Sequence, residues 1–117
     1  MTPTIVEDNN GELFLVVGSP GGSTIITSVF QVIVNMIDFG MSVEEAVQNP
    51  RFHHQWKPED LFIEKNALNE ELIQQLESKG HTVTERSDIG RVEAIFYKNG
   101  ELIGAADRRG DDDARGL

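Results

Sequence analysis

The stretch VVGSPGGSTIITSVFQ, from Val16 to Gln31, carries the clearest structural signal in this chain. An apolar strand runs into the turn Gly18–Ser23, and an apolar helix begins directly after it. Gly21 and Gly22 carry no Cβ, so an oxygen atom can approach their backbone N–H groups closely. The positive end of the helix lies at the same place. Two adjacent N–H groups at a helix start can form an oxyanion hole. From the spacing alone, a tight strand-to-helix turn without a ligand is favoured, and the oxyanion hole is the alternative.

The helix after the turn is predicted over Thr24–Phe39, with Ser23 as its N-cap and Gly40 as its stop. Apolar residues cover most of its circumference, and the remaining stripe is polar but almost uncharged. The stripe consists of Thr24, Thr27, Ser28, Gln31, Asn35 and Asp38. A helix that faces water usually carries Lys and Glu on such a stripe. We therefore expect this helix to be covered on more than one side.

The rest of the chain alternates short strands and helices. A capping box at Ser42–Glu45 begins a second helix that ends at Asn49-Pro50, and Asn69 caps a third helix over Glu70–Lys79. Strands are predicted at Thr4–Val6, Leu13–Val17, Leu61–Glu64, Thr82–Glu85, Val92–Tyr97 and Leu102–Ala106, with Asn99-Gly100 as the last hairpin turn. This order predicts an α+β fold with a mostly antiparallel sheet and helices packed on one face. Residues 1–117 are expected to form a single domain whose tail, 107–117, is partly mobile.

The composition restricts the class of function. A chain of 117 residues with 38% hydrophobic and 26% charged residues indicates one modest globular domain. The net charge of −10 argues against nucleic-acid binding. The chain has no cysteine, which excludes disulfides, thiolate metal sites and a cysteine nucleophile. No apolar run reaches transmembrane length and no signal peptide is recognised, so we expect no membrane partner.

The segment NPRFHHQW, Asn49–Trp56, contains two adjacent histidines. Adjacent side chains point in different directions and no third ligand is obvious, so we expect no metal site here. Packing of Phe52 and Trp56, with the polar groups hydrogen-bonded locally, is favoured instead. Arg51 either holds a buried carboxylate bidentately or lies on the surface.

The acidic segment Asp107–Asp113 does not have the ligand spacing of a calcium loop, which favours a solvated tail. Serines and threonines are plentiful, but no pattern marks one of them as an activated nucleophile. The residues alone therefore predict an α+β domain with one candidate anion-stabilising turn.

Three segments resemble the gamma-glutamyltransferases, also called gamma-glutamyl transpeptidases or glutathione hydrolases, of the N-terminal nucleophile hydrolase superfamily. They are PTIV, LFLVVGSPGGSTIITSVFQVIVNMIDFGMSVEEAVQNPRFHHQW and GELIGAADRR. The resemblance covers essentially the whole chain and is weaker around 68–91. It implies the C-terminal part of the family's small subunit, and a partial N-terminal nucleophile hydrolase sandwich.

The resemblance also implies roles for particular residues. Gly21 and Gly22 match the oxyanion-hole glycines, and Ser19 and Pro20 would shape the turn at the substrate. Arg51 and Arg109 match arginines that are expected to be structural and to pair with acids elsewhere in the fold. No metal or other cofactor is implied.

The implied function belongs to a parent enzyme that transfers gamma-glutamyl groups from glutathione or related amides to water or amino acids. A threonine that would form the acyl-enzyme is expected upstream of Met1, so the chain would be inactive alone. Its partners would be the large subunit, the N-terminal part of the small subunit and the substrate. The isolated chain is expected to form a homodimer, to pair at a strand edge or to expose apolar residues. A periplasmic or extracellular location is implied.

Two other hypotheses remain open from the sequence. The first is a stand-alone, non-catalytic domain that binds an anionic ligand or a partner protein. The second, which is disfavoured, is that Thr2 acts as an N-terminal nucleophile after removal of Met1.

Overall fold

The computed structural model of the chain describes residues 3–116. The helices are α1 (Thr24–Ile37), α2 (Val43–Gln48) and α3 (Glu70–Ser78). The strands are β1 (Thr4–Glu7), β2 (Leu13–Gly18), β3 (Phe52–His53), β4 (Asp60–Ile63), β5 (Thr82–Glu85), β6 (Glu93–Lys98) and β7 (Glu101–Ala105). The Thr2 hypothesis lies outside the described residues.

The strands form two sheets. The first has the order β1-β2-β6-β7 and is antiparallel throughout. The second has the order β3-β4-β5, and its β4–β5 pair is parallel. The α+β class and the mostly antiparallel pairing are confirmed. The division into two sheets and the parallel pair were not predicted. α3 connects β4 to β5 and returns the chain to the end of the sheet at which β4 begins, so the two strands run in the same direction.

Local turn chemistry sets most element boundaries. The last hairpin turns at Asn99 and Gly100, whose φ values of 53° and 86° are those of the predicted two-residue turn. The capping box of α2 is present, since the Ser42 side chain accepts from the Glu45 N–H and the Glu45 carboxylate accepts from the Ser42 N–H. The Asn69 cap of α3 is present as well.

Two predicted features of α1 differ in the structure. The helix ends at Ile37, two residues before the predicted end, and the chain then reverses through Gly40, whose φ is +66°. Ser23 occupies the N-cap position but has helical φ and ψ, and its side chain makes no capping hydrogen bond. The first turn of α1 is closed instead by Thr24, which donates from its N–H and from Oγ1 to the Gly21 carbonyl.

The core lies between the first sheet and the helices α1 and α2. Its centre consists of fully buried side chains from each layer, Leu15, Val32, Val47 and Val92. β2 crosses this core and ends at Gly18, and α1 begins at Thr24. The turn between them is therefore held in place by two packed elements. Of the residues described, no helix has the length and hydrophobicity needed to cross a membrane.

The uncharged stripe of α1 is covered by the chain itself. Gln31 makes two hydrogen bonds to the backbone of Phe52 in β3, at 2.8 and 3.1 Å. Thr27 Oγ1 lies 2.7 Å from Nδ1 of the buried His53. Ser28 is fully buried, and its hydroxyl lies 3.5 Å from the Ile89 carbonyl. The expected covering of α1 on more than one side is thus confirmed.

Candidate functional site

The turn before α1 presents two free backbone donors. Gly21 and Gly22 have φ values of +134° and +61°, which turn the backbone sharply between β2 and the helix. Both residues are exposed, and neither N–H group donates a hydrogen bond within residues 3–116. Their carbonyls are occupied, because they accept from the N–H groups of Thr24 and Ile25, both at 3.3 Å. The arrangement can therefore donate two hydrogen bonds to an external acceptor.

The two glycines tolerate a side chain to different degrees. A Cβ at Gly21 would lie 2.6 Å from Thr24 Oγ1, so a substitution there disturbs the turn itself. A Cβ at Gly22 would meet no atom of the chain within 4 Å. A side chain at Gly22 would instead extend into open space.

An open depression of about 530 Å³ adjoins the turn. Its lining comes from the turn and from the loop between β5 and β6: Pro20, Gly21, Ser23, Thr24, Arg86, Asp88, Gly90 and Arg91. Arg91 forms an ion pair with Asp112 at 2.9 Å, whereas Arg86 lies over the ring of Phe62. With Asp88 and Asp112 beside the two arginines, the charges at the depression balance one another.

Beneath the turn lies a buried ionic cluster, which we define as Arg51, Glu64, Asp107 and Arg109. Arg109 binds Glu64 bidentately, through Nε to Oε1 at 2.6 Å and Nη2 to Oε2 at 2.5 Å. Asp107 bridges the arginines, with Arg51 Nη2 at 2.8 Å and Arg109 Nη1 at 2.9 Å. Arg51 is 1% exposed and Asp107 is 0% exposed, so the four charges balance one another away from water.

The two carboxylates of the ionic cluster have lowered pKa values. Burial alone raises the pKa of Glu64, but hydrogen bonds from the Arg109 side chain and from the N–H groups of Ile89 and Arg51 outweigh it and lower the pKa. Burial likewise raises the pKa of Asp107, and the Val92 N–H together with the Arg51 charge turns this into a net lowering. Both groups are therefore held ionised in the folded chain.

The lowered pKa values predict loss of stability in acid. Because Glu64 and Asp107 bind protons less readily when folded, their contribution is complete above the ordinary carboxyl range and falls below about pH 4. Glu93 acts in the opposite sense, since burial and the neighbouring Asp112 raise its pKa and its contribution falls as pH rises. Urea unfolding of the variant Glu93→Gln between pH 7 and pH 3 removes the opposing contribution of Glu93. We expect a lower midpoint at pH 3, and a midpoint independent of pH would contradict this.

The structure corrects expectations about the segments around the site. Phe52 and Trp56 do not pack in the core, since their side chains are 46% and 69% exposed. The solvated tail is wrong for Asp107 and Arg109, which are buried in the ionic cluster. The expected mobility of 107–117 stays a prediction.

The two histidines have separate surroundings. His53 is buried, with Thr27 at Nδ1 and Gln55 at Nε2, whereas His54 Nε2 lies near the Glu59 carbonyl. Within residues 3–116, no group of three potential ligands is arranged to hold a metal ion. The Thr27–His53 contact is a hydroxyl–imidazole pair that the sequence did not predict. With only 2% of its surface exposed, His53 is closed to a substrate.

Sequence reasoning missed several residues of the site. Arg86, Gly90 and Arg91 reach the turn from a loop about 70 residues further along the chain, and no local pattern points to them. Glu64 gave no local signal either, because glutamate is rarely buried unless it is paired, and its partner Arg109 lies 45 residues away.

The family model described as Gamma-glutamyltranspeptidase matches residues 1–117. This chain belongs to the gamma-glutamyltranspeptidase family. The glutathione hydrolase proenzyme of Escherichia coli is 47% identical over 114 residues, which are 97% of this chain and 19% of that protein. The glutathione hydrolase proenzyme 1 of Schizosaccharomyces pombe is 37% identical over 110 residues, which are 92% of this chain and 17% of that protein. The resemblance inferred from the sequence is confirmed.

Solved gamma-glutamyltranspeptidase structures share this fold. A mutant of the Helicobacter pylori gamma-glutamyltranspeptidase matches with a TM-score of 0.87 and 46% identity, over 94% of this chain and 61% of that chain. The Pseudomonas nitroreducens gamma-glutamyltranspeptidase complexed with L-DON matches with a TM-score of 0.89 and 35% identity, over 100% of this chain and 62% of that chain. This member of the gamma-glutamyltranspeptidase family thus spans about a fifth of the length of the curated relatives.

Proposed function

We propose that this chain is the C-terminal part of the small subunit of a gamma-glutamyltranspeptidase and supplies its oxyanion hole. The parent enzyme would transfer gamma-glutamyl groups from glutathione or related amides to water or amino acids. The single observation that carries this proposal is the pair of exposed N–H groups at Gly21 and Gly22, which make no hydrogen bond within residues 3–116.

The chemistry of the proposed reaction requires such a pair. Attack of a threonine hydroxyl on the gamma-glutamyl amide gives a tetrahedral intermediate with a negatively charged oxygen. Two backbone donors fixed before the reaction stabilise this oxygen without reorganising during it. The N-terminus of α1 adds a favourable potential at the same place. The attacking threonine and the residues that bind the substrate's amino group would come from the remainder of the parent enzyme.

The exposed apolar faces support the presence of that remainder. On α1, Ile26 is 79% exposed and Phe30 is 63% exposed. On the first sheet, the row Ile5, Val16 and Ile95 crosses three adjacent strands on the side opposite the core. A half-buried sheet normally has a polar outer face. We propose that both faces are covered in the parent enzyme, the sheet face by a second layer of the N-terminal nucleophile hydrolase sandwich. A homodimer of the isolated chain would cover the same residues.

The proposal is tested by a hybrid enzyme. This chain replaces the matching segment of the Escherichia coli glutathione hydrolase proenzyme, and hydrolysis of a chromogenic gamma-glutamyl anilide is measured. We expect turnover by the hybrid and none above buffer by the 117-residue chain alone. The unaltered Escherichia coli protein is the control. A hybrid that folds but is inactive would contradict the proposal, and so would turnover by the chain alone.

The hybrid enzyme also distinguishes this proposal from the stand-alone, non-catalytic alternative. A non-catalytic domain would leave the hybrid inactive and would bind an anion such as inorganic phosphate in its isolated form. For the parent enzyme we further propose a periplasmic or extracellular location, which rests on the family resemblance and is tested by fractionation of the source cells.

A further inference from the structure

The directions of the two free N–H groups depend on hydrogen bonds behind them. A peptide unit is planar, so its C=O and N–H groups point in opposite directions. The N–H of Gly21 belongs to the same plane as the carbonyl of Pro20. The N–H of Gly22 belongs to the same plane as the carbonyl of Gly21. A hydrogen bond that fixes either carbonyl therefore also fixes the direction of the N–H group in the same peptide plane.

Ser19 holds the first of these planes. Its hydroxyl donates to the Pro20 carbonyl at 2.7 Å, although serine and carbonyl belong to adjacent residues. Ser19 is fully buried, while the glycines that follow it are exposed. The same hydroxyl accepts from the Arg91 N–H at 3.0 Å, which fixes its own position.

Thr24 holds the second plane. Its Oγ1 donates to the Gly21 carbonyl at 2.9 Å, and its N–H points to the same oxygen at 3.3 Å. The hydroxyl bond is thus the shorter of the two. Thr24 is buried at the start of α1, so its side chain cannot exchange this contact for water freely.

The loop between β5 and β6, which contacts Ser19 through the Arg91 N–H, is also tightly constrained. A Cβ at Gly90 would lie 2.4 Å from Ser28 Oγ and 3.1 Å from Ser19 Oγ, so this position accepts only glycine without movement. The neighbouring Ile89 gives its N–H to Glu64 and its carbonyl to Arg51 of the ionic cluster. The ionic cluster therefore holds the loop that contains Arg91, and the Arg91 N–H in turn holds the Ser19 hydroxyl.

We propose that Ser19 and Thr24 are positioning residues that aim the two N–H groups, each by holding the carbonyl oxygen of the same peptide plane. Both hydroxyls donate to backbone carbonyls of the turn. Removing either hydroxyl leaves both N–H groups in the chain but allows their directions to vary. This inference rests on the proposed function, because an aimed donor matters only when an oxyanion forms at the turn.

The kinetic test uses the hybrid enzyme with Ser19→Ala and with Thr24→Val. Misdirected donors weaken transition-state binding more than substrate binding, so we expect kcat to fall by about tenfold with little change in KM. The loss is smaller than that of a missing donor, since the N–H groups are still present. Thr24→Ser retains the hydroxyl and should restore kcat to within about twofold of the hybrid. Ser42→Ala, which removes the hydrogen-bonded hydroxyl of the α2 cap, is the matched control and should leave kcat unchanged.

A spectroscopic test on the 117-residue chain is independent of activity. In nitrogen–proton correlation spectra, Ser19→Ala should shift or broaden the Gly21 amide signal, and Thr24→Val should do so for Gly22. Ser42→Ala should leave both signals in place. Unchanged glycine signals would overturn the inference, as would an unchanged kcat in an active hybrid or failure of Thr24→Ser to restore the rate. An inactive hybrid would count against the proposed function, and the spectra would then decide this inference alone.

Discussion

Replacing Asp107 with alanine is expected to lower the free energy of unfolding by about 3–5 kcal/mol, or to abolish folding. The carboxylate is fully buried and accepts hydrogen bonds from the Val92 and Arg109 N–H groups and from both guanidinium groups of the ionic cluster. Without it, the Arg51 charge stays buried with Glu64 already saturated by other donors. Urea denaturation of the 117-residue chain, followed by circular dichroism, measures the change.

Asp113→Ala is the matched control for this substitution. Asp113 also pairs with an arginine, but its side chain is 60% exposed and that of its partner Arg115 is 85% exposed. Exposed pairs contribute about 0–1 kcal/mol, so the control should unfold at nearly the same urea concentration. If both variants lost the same small free energy, burial of the ionic cluster would not determine its strength.

Gly22→Asn should reduce kcat of the hybrid enzyme by about 100-fold while the chain still folds. Asparagine adopts positive φ more readily than other residues with a side chain, and a Cβ at this position meets no atom of the chain within 4 Å. We expect the added side chain, which extends from the turn into open space, to keep the reacting oxygen away from the N–H groups. Steady-state kinetics with the chromogenic gamma-glutamyl anilide give kcat, and urea denaturation of the isolated variant checks folding.

Gly11→Asn serves as the control for Gly22→Asn. Gly11 has φ of +79°, and a Cβ there also meets no atom within 4 Å, but it lies in the turn between β1 and β2. The backbone requirement is therefore similar and the site is different. If the two hybrids had equal activities, Gly22 would not be part of the oxyanion hole.

The positions of the elements were largely predictable from local chemistry. Ser42 and Glu45 form the predicted capping box, and Asn99-Gly100 forms the predicted hairpin turn. Such signals act within four residues, so the sequence contains them in full. β3 was not predicted, because two residues are too short for a period-two pattern and the strand depends on pairing with β4.

The sequence also predicted that the polar stripe of α1 is covered, since that stripe carries almost no charge. It did not predict that Gln31 and Thr27 meet β3 of the same chain, nor that Ile26 and Phe30 face outwards instead. Hydrophobic periodicity identifies an apolar face but does not name the element that packs against it.

By itself, the sequence determined the glycine turn, the helix that begins after it and the family to which the chain belongs. The tertiary structure alone decided which acids pair with Arg51 and Arg109, and how Ser19 reaches Arg91. The Arg51–Asp107, Arg109–Glu64 and Ser19–Arg91 contacts join residues about 45 to 70 positions apart, so no local pattern of residue types specifies them. They form because packing of the sheets and α1 leaves buried charges and carbonyls that can be satisfied only by one another.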